Sequence, residues 1–133
     1  MTNSMIECFL AVGSFAVVGA SSNRDKYGNK VLRCYAQHDH PVVGVNPRAD
    51  EIEGLPCYAS LVDVPGPARA VSIVAPPAFA QQIVNDAVAS SVRHLWFQPG
   101  SEDAVAIADA QARGIEVIAG GPCLLVALGY RDD

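Results

Sequence analysis

The chain has 133 residues, enough for one domain with one continuous core and too few for a cofactor domain joined to a separate substrate domain. Half of the residues are hydrophobic and only 17% are charged, against roughly 25% in an average soluble domain, so many elements should be buried on both faces. Nine Lys and Arg against 14 Asp and Glu leave a formal charge of −5, the wrong sign for a surface that tracks a nucleic-acid backbone. A compact anion is still accessible to such a chain, because one basic side chain beside a helix N-terminus suffices to hold a phosphate.

Residues 1–13 are expected to form a short helix against an edge of a sheet. Residues 14–20 (Ser-Phe-Ala-Val-Val-Gly-Ala) are an apolar run too short for a helix and suited to a strand buried on both faces. Val31/Tyr35 and Leu32/Ala36 then repeat at helical spacing up to Gln37, and residues 41–45 read as a second buried strand. Residues 46–60 hold two prolines and a glycine without sustained periodicity, which predicts a long connection of the kind that carries function. A helical turn over 61–64, a third strand over 70–75 and a helix opened by Pro77 follow. In that helix Phe79/Ile83/Ala87 and Ala80/Val84/Val88 share a face. A fourth strand is predicted over 92–97, a helix capped by Ser101 and ended by Gly114 comes next, and a fifth strand spans 115–119. The alternation predicts an α/β domain occupying residues 1–133: a Rossmann-like, doubly wound sheet of about five parallel strands with helices on both faces. In such a sheet ligands bind outside the carboxyl ends of the strands.

The four cysteines at 8, 34, 57 and 123 are scattered, without the C-x-x-C spacing of a zinc site or redox dithiol, so reduced thiols and a cytoplasmic location are expected. No basic residue precedes Arg24, and the short apolar run at 8–12 does not make a secretory signal. No apolar stretch approaches the roughly 18 residues that span a bilayer, so no membrane partner is expected. His38-Asp39-His40 has metal-like residue types but follows a helix without further ligands nearby in sequence, so it reads as a solvated turn, and no metal is expected. His94 falls in a buried strand and reads as a structural histidine. No Ser sits in a G-x-S-x-G elbow, and no complete catalytic constellation is visible.

The first strand-to-helix turn, Val18-Gly19-Ala20-Ser21-Ser22-Asn23, lies where such sheets receive phosphate. It is not G-x-G-x-x-G: Ser21 replaces the second glycine, and the next glycine is Gly28. Gly and Ser serve equally well simply to make the turn. After the second strand a site for NAD normally offers an acid to the ribose hydroxyls. This chain offers Asn46-Pro47-Arg48. A guanidinium pairs with a phosphate monoester, which favours a ligand with a phosphorylated ribose, coenzyme A or NADP, over NAD. The alternative for Arg48 is a solvated side chain among Asp50, Glu51 and Glu53.

Together these segments resemble the stand-alone CoA-binding proteins of bacteria and archaea, whose Rossmann-like domain is also similar to the N-terminal domain of the succinyl-CoA synthetase α subunit. The carriers are Val18 to Ser21 with Lys26-Tyr27-Gly28, Val45 to Arg48 with Ile52 and Gly54 to Tyr58, Ser60-Leu61 with Asp63, and Leu95 to Gln98 with Gly100. The resemblance implies CoA or an acyl-CoA as ligand. It places Gly19, Ala20 and Ser21 at the pyrophosphate, with Lys26, Tyr27, Asn46, Pro47 and Gln98 among the contacts and Arg48 at a nucleotide phosphate. Ala75, Pro76 and Pro77 would line the adenosine or pantetheine path. A ligand-binding module, working alone, as a homo-oligomer or beside a partner enzyme chain, is the first expectation, and a small NADP-dependent or acyl-CoA-processing enzyme the second. Cys123 follows the fifth strand in Gly121-Pro122-Cys123. With Pro122 at the first position of a terminal helix, Cys123 would fall in the first helical turn and could meet the CoA thiol; the alternative is an inert buried cysteine.

Overall fold

The computed structural model describes residues 2–121 and 123–131. Strands β1 (Phe15–Val18), β2 (Val42–Val45), β3 (Glu51–Ile52), β4 (Leu55–Tyr58), β5 (Ala70–Ile73), β6 (His94–Phe97) and β7 (Glu116–Ile118) form a sheet in the order β3-β4-β2-β1-β5-β6-β7. All neighbours are parallel except β3 and β4. Helices α1 (Thr2–Ala11), α2 (Tyr27–Gln37), α3 (Ala80–Ala89), α4 (Ala104–Ala112) and α5 (Leu124–Leu128) complete the Rossmann-like fold.

Side chains alternate across each strand, so one sheet feeds two cores. Phe15, Val17 and Trp96 pack with Phe9 of α1, Val31 and Leu32 of α2 and Leu124 of α5. Ala16, Leu95 and Phe97 pack with Val84 and Ala87 of α3 and Ala106 and Ala110 of α4. The expected N-terminal helix exists and lies against the edge strand β7, anchored by Phe9 set edge-on to Trp96 with ring centroids 5.3 Å apart. Between the layers, the buried Tyr35 hydroxyl and Ser72 Oγ share a hydrogen bond of 2.6 Å.

The five strands expected from the sequence are all present, each shorter than expected, but the sheet has seven. The region expected to be a long connection, 46–60, contains the β3–β4 hairpin instead. Its two turn residues, Glu53 (φ 53°) and Gly54 (φ 75°), are both left-handed, the conformation that matches the twist of a two-residue hairpin. Pro56 and the two-residue length of β3 hide the alternation that would have announced it. A second correction concerns α4: its N-cap is Asp103, whose carboxylate accepts from the Ala106 N–H at 2.9 Å. Ser101 is instead buried, and its Oγ accepts from the Ala75 N–H at 3.1 Å, tying the end of β6 to the end of β5. Gly114 lies just beyond α4 at φ 87°, where the sequence placed it.

β1 sits between β2 and β5, with Phe15 in register with both Val42 and Ala70. The chain winds outward from β1 on one side, then returns to its other side. That reversal parts the loops at the carboxyl edge and opens a crevice there.

Candidate functional site at the carboxyl edge

Gly19 ends β1 at φ 94°, and a Cβ there would stand 1.7 Å from the Val74 carbonyl oxygen. A Cβ on Gly28, in the first turn of α2, would stand 2.0 Å from the Gly19 carbonyl oxygen. The pair therefore lets α2 press directly onto the end of β1, a role the sequence pattern did not reveal for Gly28. No side chain caps α2 at Lys26, which leaves first-turn N–H groups open to an anion.

The loop leading to α2 is held by its own side chains. Ser21 Oγ accepts from the Asn23 N–H at 3.1 Å, and Asn23 Oδ1 from the Asp25 N–H at 3.0 Å. The buried Asn29 donates to the Ser21 carbonyl at 2.7 Å and to Glu53 at 3.1 Å, while Arg24 pairs with the same Glu53 oxygen at 3.3 Å. The hairpin turn thus braces the β1–α2 loop. Asn46 donates from Nδ2 to the Ala20 carbonyl at 2.8 Å and accepts at Oδ1 from the Arg48 N–H at 2.8 Å. Arg48 itself is exposed.

On the α3 side of this edge lies a cleft of about 350 Å³, lined mainly by apolar groups. Gly19, Asn46, Pro47, Ala75 and Pro76, all expected from sequence, lie on its wall. Val18, Val45, Ser60, Leu61, Val74, Phe79, Gln82, Ile83 and Asp86 were not expected there. Phe79 was placed on the buried face of the helix. It instead sits in a 3-10 turn (Pro77–Phe79) leading into α3 and is 58% exposed beside the cleft. No Lys, Arg or His lies among the described lining residues.

On the α2–α5 side the structure joins three residues that are far apart in sequence. Tyr27 Oη lies 2.6 Å from Cys123 Sγ and donates to Gln98 Oε1 at 3.1 Å. The same Oε1 accepts from the Leu124 N–H at 2.9 Å. Burial first, and the Cys123 hydrogen bond second, hold the Tyr27 phenol well above its ordinary range, so it stays protonated. Cys123 is the N-cap of α5 and lies just before its first turn rather than within it; Pro122 lies outside the described residues.

Ala20 is buried beneath the loop, whereas Lys26 and Pro77 are exposed and do not line the cleft. His38 donates from Nε2 to the Gly129 carbonyl at 3.0 Å. Among the described residues no group of three or more His, Cys, Asp or Glu is placed to hold a metal ion, and no helix is long and apolar enough to cross a membrane.

Residues 13–129 match the family described as CoA binding domain, and the chain belongs to that family. Over 71 residues it is 34% identical to ADP-forming acetate–CoA ligase I of Archaeoglobus fulgidus, an overlap covering 53% of this chain and 10% of that enzyme. Over 79 residues it is 32% identical to the alpha subunit of ADP-forming acetate–CoA ligase II of Pyrococcus furiosus, covering 59% of this chain and 17% of that subunit. Among solved structures, a conserved hypothetical protein from Pyrococcus furiosus is 38% identical, with a TM-score of 0.80 over 86% of this chain and 97% of that one. The chain thus spans a small fraction of these ligase relatives and nearly all of a small protein.

Proposed function

We propose that the chain is a CoA-binding module that holds coenzyme A, or an acyl-CoA, across the carboxyl edge of its sheet. The observation that carries this reading is the juxtaposition at Gly19: an apolar cleft on one side of the turn, the uncapped α2 N-terminus at it and the Tyr27–Gln98–Cys123 group on the other. CoA has the same three parts in order, an adenosine, a pyrophosphate and a pantetheine thiol. In this reading the adenosine occupies the cleft between Pro47 and Pro76, and the pyrophosphate meets Gly19, Ala20 and Ser21 with Lys26 nearby. Arg48 pairs with the ribose phosphate, and Pro77 shapes the turn beyond Ala75 and Pro76.

The thiol end reaches Cys123. The family match supports CoA, whereas nothing among the relatives supports the NADP alternative. A partner enzyme chain belongs to the proposal because one relative is a named subunit. A reducing, cytoplasmic setting belongs to it as well, consistent with four free cysteines.

Calorimetry and melting curves with CoA, NADP and NAD test the reading. A ligand at about 100 times its Kd stabilises the native state by roughly 2.7 kcal/mol, and CoA is expected to give that response. No response to millimolar CoA, or a larger one to NAD, overturns the proposal.

A further inference from the structure

The Gln98 side chain is fully buried, and its amide is used on one side only. Oε1 accepts two hydrogen bonds, from Tyr27 Oη and from the Leu124 N–H. The second can come only from a donor, so it fixes which end of the amide is oxygen. Nε2 has no hydrogen-bond partner among the described residues. An unpartnered buried donor is costly, and native structures rarely leave one without a reason. Tyr27, bound to the other end of this amide, touches Cys123 Sγ with its Oη at 2.6 Å. Both side chains are partly exposed, so the polar group that contains this amide extends to the surface.

We infer that Gln98 Nε2 is the donor for the carbonyl oxygen of a thioester, so that the module prefers acyl-CoA to free CoA. The inference rests on the CoA reading above and places the acyl end of the ligand. A thioester carbonyl is a full acceptor set next to the sulfur, whereas a free thiol offers only a weak acceptor. Of the groups at that end of the ligand, the carbonyl oxygen completes the hydrogen bonding of the amide. Tyr27, held protonated, keeps Oε1 occupied, so Nε2 is the end of the amide left for a ligand acceptor.

The experiment is a calorimetric comparison of acetyl-CoA, CoA and S-ethyl-CoA, a thioether of nearly the same shape without the carbonyl oxygen. Acetyl-CoA is expected to bind the wild type roughly tenfold or more tightly than S-ethyl-CoA. Gln98→Leu should erase that difference while S-ethyl-CoA still binds. Gln98→Glu keeps an acceptor for the Leu124 N–H and replaces the donor by an oxygen, so it provides the same test should the leucine variant not fold. Equal wild-type affinities for acetyl-CoA and S-ethyl-CoA overturn the inference and leave the CoA reading standing. Failure of all three ligands to bind overturns both.

Discussion

The two flanks of the carboxyl edge are built by different means. On the α3 flank the surface is shaped by backbone and apolar side chains: Gly19 packed under Val74, prolines at 47 and 76, and a cleft without a cation among its described lining residues. On the α2–α5 flank it is shaped by a chain of polar contacts, Cys123 to Tyr27 to Gln98 to the backbone of α5. In the proposed reading the first flank selects by shape, because displacing backbone is expensive. In the same reading the second selects by hydrogen bonding, because side chains can turn. A ligand that is flat and apolar at one end and polar at the other exploits both.

The largest expected effect breaks the first flank. Gly19→Ala forces a Cβ into the Val74 carbonyl at a left-handed backbone position and is expected to cost about 3 kcal/mol or more. Urea denaturation measures it, and a midpoint within error of the wild type would show that the β1–β5 approach is looser than described. If the two flanks share one ligand, CoA binding by the folded variant should weaken as well.

A smaller effect sharpens the contrast at the rim. Arg48 is exposed and its side chain makes none of the contacts that hold Asn46, so Arg48→Glu is expected to leave the melting temperature unchanged. It should weaken CoA by about 1.5–3 kcal/mol through loss of a charge-assisted bond, with repulsion added. Dephospho-CoA should bind the wild type and the variant alike. If CoA and dephospho-CoA bind the wild type equally, the arginine reads no ribose phosphate.

The smallest effect probes the packing beneath the polar flank. Burial, with a further contribution from Cys123, pushes the Cys34 thiol from about 9 up to about 11. The unfolded chain therefore releases this proton at lower pH than the folded one, and stability held below pH 9 is lost as the pH rises toward 11. Cys34→Ala should fall less steeply across that window in urea midpoints, because the variant loses the thiol and also its upward push on the Tyr27 and Tyr35 phenols. Identical slopes would place Cys34 in contact with solvent.

The sequence made the architecture legible wherever a buried strand declared itself as an apolar run, as at 14–20 and 92–97. It failed at β3 and β4, because a two-residue strand and a strand carrying Pro56 show no period, although Glu53-Gly54 is a recognisable hairpin turn. The same limit applies to the site. Gly19, Asn46 and Pro47 could be read from loops at strand ends, whose place is fixed by topology, and Pro76 was implied by the resemblance. Phe79, Gln82 and Asp86 could not, since the 3-10 turn ahead of α3 rotates Phe79 away from the face that helical spacing assigns to it. The Tyr27–Cys123 contact joins residues 96 positions apart, beyond any local signal: the resemblance named Tyr27 and the proline before the terminal helix named Cys123, but nothing joined them.

The short hairpin has one more consequence. A parallel sheet ending at β2 would offer a four-residue strand with open hydrogen-bonding groups to any neighbouring molecule, and flat apolar edges of that kind seed aggregation. Here β4 occupies that edge, and the sheet stops at a two-residue strand running the opposite way, with the charged Glu51 exposed on it. In a chain with so few charges, the segment that braces the β1–α2 loop also leaves this side of the sheet only a two-residue edge for a neighbour to pair with.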